Sequence, residues 1–210
     1  MKSVLFGTSN SGKLREARAV CGQSGIKLVA PSEITPENFA EFGLRACPGP
    51  IPEIQEICED YLGNARLKAR GFWLWSGLPS ISDDSGLEVE ALGGAPGILS
   101  ARFAGEGCDF DSNIEKLLGL LQAEGLRRAC FRSVICCVSG DREFISEGVL
   151  NGEIGFERRG HGGFGYDSVF VVDGYNGKTL SQLKDEGVPV KTHRILALEK
   201  LADHNLAVEL

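Results

Sequence analysis

Ser3-Val4-Leu5-Phe6-Gly7-Thr8-Ser9-Asn10-Ser11-Gly12-Lys13 decides the class of fold. Ser3–Gly7 is a short apolar run of the kind that forms a buried strand. A polar loop bounded by glycines follows. Lys13–Cys21 then carries Leu14, Ala17, Ala19, Val20 and Cys21 on a broad face, which predicts a helix ended by Gly22. Ile26–Ala30 reads as a second strand. Strand, loop, helix and strand in that order begin an α/β protein.

Further along, residues 31–52 hold five of the eight prolines without a clean period, so an irregular excursion is expected there. Tyr61–Trp75 shows helical spacing. Ser80–Ser82 is expected to be a short strand, then an acidic turn, then a strand at Leu87–Ala91. Asn113–Leu121 is an amphipathic helix with Asp111 or Ser112 available as its cap. Ala129–Val138 and Glu143–Leu150 flank Gly140-Asp141 as an antiparallel hairpin. Ser168–Val172 is a strand and Thr192–Asp203 a closing helix, with Thr192 a candidate cap. Hairpins and crossovers together give an α/β fold with a mixed sheet.

Composition bounds the function. A chain of 210 residues buries about 70% of its unfolded surface, so it needs no disulfide or metal merely to fold. The 22 Lys and Arg against 29 Asp and Glu leave a formal charge of −7. That balance excludes a broad nucleic-acid-binding surface but allows a local basic cluster for a small polyanion. No stretch reaches the roughly 18 apolar residues of a membrane span, and the first apolar run is too short for a signal peptide. Seven scattered cysteines without a C-x-x-C fit reduced thiols in a cytoplasmic setting. Glycine, 28 residues in all, clusters at 86–97, 105–107 and 160–165 between apolar runs, which marks turns and close backbone approach.

Four segments carry chemistry. Gly7–Lys13 satisfies G-x-x-x-x-G-K, with backbone N–H groups at a helix N-terminus and one Lys to hold phosphate. Leu14 stands where a P-loop needs a hydroxyl for Mg²⁺, so metal ligands would come from elsewhere; a plain polar helix start is the alternative. Ser82-Asp83-Asp84-Ser85-Gly86 sets two carboxylates side by side, an arrangement that a divalent cation compensates; the alternative is a solvated turn. Asn64 and Lys68, four apart, share a helix face, and a lysine aimed at the Asp pair would stabilise charge on a phosphoryl group. Gly160–Asp167 sets Phe164 and Tyr166 on a permissive loop, where an aromatic can stack on a base or serve the core. Arg194, after His193, could grip phosphate or a base carbonyl.

Together GTSNSGKLRE (7–16), NARLKAR (64–70), SDDSGLEVEALGGAPGILSARFA (82–104), GGFGYD (162–167), GKT (177–179) and His193-Arg194 resemble the inosine triphosphate pyrophosphatase family, in that family's order. The resemblance implies an elongated, two-lobed mixed β-sheet flanked by helices, with a nucleotide cleft between the lobes. It implies one nucleoside-triphosphate pyrophosphatase domain over 1–210, usually a homodimer, without nucleic-acid or membrane partners. The implied activity is Mg²⁺-dependent hydrolysis of ITP, dITP and XTP to the monophosphate and pyrophosphate, which cleanses the nucleotide pool. By the same resemblance Thr8, Ser9, Asn10, Ser11, Gly12 and Lys13 would hold the triphosphate, and Lys68 would stabilise its charge. Asp84 would bind metal and activate water, with Asp83 beside it, Ser85 touching substrate and Glu56 a second metal carboxylate. Phe164, Gly165, Tyr166 and Asp167 with His193 and Arg194 would form the base pocket.

Three positions depart from the family pattern. A Lys usual shortly before the His-Arg pair is missing, with Lys184 and Lys191 as candidate substitutes. Ser181-Gln182-Leu183 stands for Ala-Glu-Leu, and Ser168 for Pro. All three fall on the base-recognition side. A pyrophosphatase for another modified nucleotide, or a silent nucleotide-binding homologue, are therefore the competing functions.

Overall fold

The computed structural model describes residues 2–22 and 25–203. Its elements are β1 (Lys2–Phe6), α1 (Ser11–Cys21), β2 (Ile26–Val29), α2 (Tyr61–Ser76), β3 (Ser80–Val89), α3 (Phe110–Leu120), β4 (Arg128–Ser139), β5 (Arg142–Ile154), β6 (Phe170–Val172), α4 (Leu180–Asp185) and α5 (His193–Asp203). Six strands form a mixed sheet in the order β2-β1-β3-β4-β5-β6. β1 runs parallel to β2 and β3, with Phe6 opposite Ile81, while β5 and β6 are antiparallel. The chain folds as two compact units, one of Met1–Asp84, Ser133–Gly148 and Arg194–Leu210, the other of Ser85–Arg132 and Val149–His193.

In the first unit α1 and α5 cover one sheet face through Ala17, Cys21, Ala197, Leu198 and Leu201, packed with Val4, Phe6, Ile81, Ile135 and Cys137. α2 covers the opposite face with Ala65, Ala69 and Phe72, against Cys136, Val138 and Leu5. Adjacent residues of a strand point to opposite faces, so Cys136 and Cys137 serve different layers. Burial pushes both thiols up to about 12, and both pack as small hydrophobes. None of the seven cysteines is in a disulfide.

The second unit has its own core, in which Ile114 and Leu117 of α3 and Leu180 and Leu183 of α4 meet Leu87, Phe131, Ile154 and Phe170. Arg127, buried just before β4, is its polar pin. Its guanidinium donates to the carbonyls of Ile154 at 2.6 Å, Leu121 at 2.7 Å and Gly155 at 2.7 Å.

Two expectations need correction. The acidic pair does not sit in a turn between two strands: β3 runs unbroken through it, with Asp83 only 2% and Asp84 6% exposed. Carboxylates tolerate such burial only when cations and donors meet them, and they do here. The cap of α3 is Asp109, which accepts from Ser112 N at 2.8 Å, rather than Asp111 or Ser112. The helix accordingly starts at Phe110. The 31–52 excursion contains only two short 3₁₀ turns, at Pro31–Glu33 and Phe39–Phe42.

Candidate active site

Strand alternation splits the acidic pair. Asp83 shares the parity of Ile81 and faces α1 and α5; Asp84 faces α2. Lys13 Nζ of α1 lies 3.2 Å from Asp83 Oδ2, and Arg194 Nε donates to the same oxygen at 2.9 Å. Burial alone would push the Asp83 carboxyl up, but Lys13, Arg194 and Lys68 outweigh it and hold it far below the usual carboxylate range. For Lys13 the balance is reversed: burial pulls its pKa down despite Asp83. That sharing of one anion by two cations sets the electrostatics of this face.

Asp84 has the opposite character. Burial raises its pKa, and the like charge of Glu56 adds to that rise, against the pull of Lys68, Lys13 and an Asn64 hydrogen bond. A carboxylate with a raised pKa is a better proton acceptor. Lys68 Nζ bonds Glu56 Oε1 and lies 3.3 Å from Asp84 Oδ1. Its own burial works against its charge, but Asp84, Asp83 and Glu56 keep its pKa above the ordinary lysine value. Asn64, one helical turn before Lys68, donates to Asp84 Oδ2 at 3.2 Å and accepts from Cys58 N at 2.9 Å. It thereby ties the segment carrying Glu56 to α2.

Among the described residues no three His, Cys, Asp or Glu side chains gather as a metal cluster. Two carboxylates, Glu56 and Asp84, do converge on one ammonium. Mg²⁺ is commonly held by one or two carboxylates completed by substrate phosphate oxygens. The Glu56–Asp84 pair, with its mutual repulsion, fits that habit.

The loop from β1 to α1 is shaped by one glycine and one cap. Gly7 N donates to Ile81 O at 2.8 Å, and a Cβ at Gly7 would overlap the Phe72 ring and the Ser82 hydroxyl. Asn10 caps α1, its Oδ1 accepting from Gly12 N at 2.9 Å and Lys13 N at 3.1 Å, while Thr8 Oγ1 accepts from Asn10 N at 3.1 Å. Two of the helix's first amides are thus occupied by Asn10. The exposed groups of the loop are Ser9 and Ser11, with Thr8 and Lys13 half-buried.

In the second unit the glycine loop folds around Asp167. Phe164 N donates to Asp167 Oδ2 at 3.0 Å, and Lys184 Nζ bonds the same oxygen at 2.9 Å while lying 5.4 Å from the centre of the Phe164 ring. Gly163, at φ +88°, has no room for a Cβ because the Asp167 carboxylate fills it. Tyr166 is a core residue, its hydroxyl donating to Ser100 O at 2.9 Å, whereas Phe164 stays half-buried. The loop lines a cavity of about 480 Å³ with Phe110, Arg158, Gly165 and Ser181. Ser85, next after Asp84 on β3, is half-buried. His193 stacks on Phe131, ring centres 4.9 Å apart.

The expected residues therefore gather as two groups. Lys13, Glu56, Lys68, Asp83 and Asp84 join in the first unit, and Phe164, Gly165 and Asp167 form a loop in the second. The resemblance assigned Arg194 to the base pocket. Its guanidinium is buried in the first unit against Asp83 and Glu16, with Nη1 2.6 Å from Glu16 Oε2. Sequence reading gave no role to Glu16 or Ser181 and saw in Asn64 only a helix position. It also overlooked α4, although Thr179-x-x-Gln182 is a capping-box signature. Gln182 Oε1 accepts from Thr179 N at 3.0 Å, so Gln fills the role a Glu would. Ser181 Oγ donates to Gly162 O at 2.6 Å, fastening α4 to the glycine loop.

A model of the Ham1 family matches residues 4–204. A dITP/XTP pyrophosphatase of Porphyromonas gingivalis is 38% identical over 210 residues, the whole of both chains. One from Methylococcus capsulatus is 38% identical over 206 residues, covering 96% of this chain and 94% of its own. Among solved structures, a HAM1 protein from Coxiella burnetii superposes with a TM-score of 0.80 at 32% identity over all of both chains. The Staphylococcus aureus Ham1 protein does so with a TM-score of 0.79 at 33% identity, again over all of both chains.

Proposed function

The chain belongs to the Ham1 family, and on that premise we propose that it hydrolyses nonstandard purine nucleoside triphosphates, ITP, dITP and XTP, to the monophosphate and pyrophosphate. The observation that carries this reading is the buried Asp83–Asp84 pair on β3, met by Lys13 on one face and Lys68 on the other.

In the reaction, water attacks the α-phosphorus, the bond to the bridging oxygen breaks, and pyrophosphate leaves. Asp84 takes the proton of the attacking water. Lys68 stabilises negative charge on the phosphoryl oxygens, and Asn64 holds the Asp84 carboxylate in orientation. Lys13, Thr8, Ser9 and Ser11 bind the triphosphate. Mg²⁺, held by Glu56, Asp84 and substrate oxygens, would neutralise charge on the phosphates.

Phe164 offers a ring face to the base, and the Asp167–Lys184 pair offers an acceptor and a donor beside it. Lys184 is our choice over Lys191 for the missing family lysine, because its ammonium already sits on Asp167. A donor aimed at a 6-oxo group is left unpaired by a 6-amino purine, and that asymmetry discriminates strongly. Cysteines that form no disulfide fit a reducing cytoplasm. A homodimer is the expected assembly.

Steady-state hydrolysis of XTP, ITP, dITP, dGTP, ATP and dUTP with Mg²⁺ tests this reading. XTP and the inosine nucleotides should exceed ATP in kcat/KM by at least about 100-fold, with pyrophosphate as co-product. Equal rates on every base would overturn the base assignment, and a diphosphate product would overturn the chemistry.

A further inference from the structure

We infer that Ser181 and Asp185 of α4 are positioning residues for base recognition: they hold the glycine loop 160–165 so that the Phe164 ring is presented in one place. This rests on the proposed contact of that loop with the base, and it names the side chains that set the contact.

The loop cannot set itself. Gly160, Gly162, Gly163 and Gly165 make up four of its six residues, and Phe164 lies between the last two. Glycine loses more conformational freedom on ordering than any other residue, so an aromatic flanked by glycines has no fixed direction of its own. The glycines are needed because the loop lies against α4. A Cβ at Gly160 would come within 2.6 Å of Gln182 N, and one at Gly162 within 2.8 Å of Asp185 Oδ1 and 3.0 Å of Ser181 O. Close approach thus demands the residues that leave the loop loosest.

The helix supplies the order. Asp185 Oδ2 accepts from His161 N at 2.8 Å, and Ser181 Oγ donates to Gly162 O at 2.6 Å. On either side of these, Thr179 Oγ1 donates to Arg159 O at 2.7 Å and Ser181 N to Asp167 O at 3.1 Å. The loop is thereby tied to α4 from its entry to its exit. The support is firm, since Leu180 and Leu183 are buried in the core of the second unit. Asp185 is exposed, and a bond from an N–H to its carboxylate is charge-assisted. Ser181 is one of the departures from the family pattern noted above, and its hydroxyl goes to the loop. Both side chains act on backbone just ahead of Phe164, at His161 and Gly162.

The test compares KM and kcat for XTP and ATP, and calorimetric binding of inorganic tripolyphosphate, in Asp185→Ala and Ser181→Ala. Each change should raise KM for XTP about fivefold, the order of one lost hydrogen bond, with a smaller effect on kcat. A site held less closely than about 0.5 Å loses precision, so the XTP-to-ATP ratio of kcat/KM should fall by a similar factor. Tripolyphosphate, which has no base, should bind as it does to the parent. Asp185→Asn keeps an oxygen acceptor for His161 N and should recover most of the loss. Unchanged KM and base ratio in Asp185→Ala, or tripolyphosphate binding weakened in step with XTP, would overturn the inference.

Asp185 is exposed, so Asp185→Ala carries the test even if the buried Ser181 tolerates no change. A third variant, Phe164→Ala, separates these ties from the base site itself. Loss of base stacking should raise KM for XTP by at least about fivefold. If Phe164→Ala does so and Asp185→Ala does not, the positioning role alone is wrong. If Phe164→Ala leaves XTP binding unaltered, the loop does not receive the base, and the proposed base site falls together with the residues said to position it.

Discussion

Asp84→Asn is expected to lower turnover of XTP by about a thousandfold, in the range of a lost general base and metal ligand. The fold should survive, because Asn is nearly isosteric and Lys68 keeps Glu56 as a partner. Thermal stability should change little. The folded-state pKa of Asp84 is raised, so its favourable contribution is present at low pH and is lost as pH rises through that value. Near pH 8 Asn removes the cost of the ionised carboxylate, but it also removes the charge that most supports the buried Lys68 ammonium. A melt close to that of the parent, together with lost hydrolysis, is the expected pair of results. Turnover within tenfold of the parent would reject Asp84 as the base.

Arg127→Met is expected to be the most damaging substitution outside the site. The guanidinium satisfies three carbonyls, those of Leu121, Ile154 and Gly155. Burial already lowers its pKa, yet no carboxylate among the described residues is bonded to it; the carbonyl oxygens solvate the charge. Methionine fills much of the volume but leaves those acceptors unmet at about 1–3 kcal/mol each, so a loss of roughly 3–9 kcal/mol is expected. For a chain of this size that lowers the melting temperature by at least about 6 °C. Differential scanning calorimetry reads it directly, and a shift under a few degrees would mean that water replaces the guanidinium.

The parts legible in the sequence were those whose signals are local. The apolar run before Gly7, the spacing in Tyr61–Trp75 and the Gly140-Asp141 turn each predict an element that the structure contains. The acidic pair reads as a turn in the sequence because its compensation is not local. Arg194 meets Asp83 from 111 positions away, and Asn64 meets Asp84 from 20. Seen without those partners, two adjacent carboxylates look solvated. The same distance hid Glu16: on its own helix it is one more half-buried acid, and only the arrival of α5 gives it an arginine to hold. The departures on the base side became interpretable for a similar reason. Gln182 and Ser181 act through α4, and Lys184 acts through Asp167, 17 positions earlier.

Hydrolysis of XTP in oxygen-18-enriched water, with products resolved by mass spectrometry, tests the central claim most directly. Attack at the α-phosphorus predicts one heavy oxygen in the xanthosine monophosphate and none in the pyrophosphate. Label in pyrophosphate, or release of orthophosphate with a diphosphate, would contradict the account.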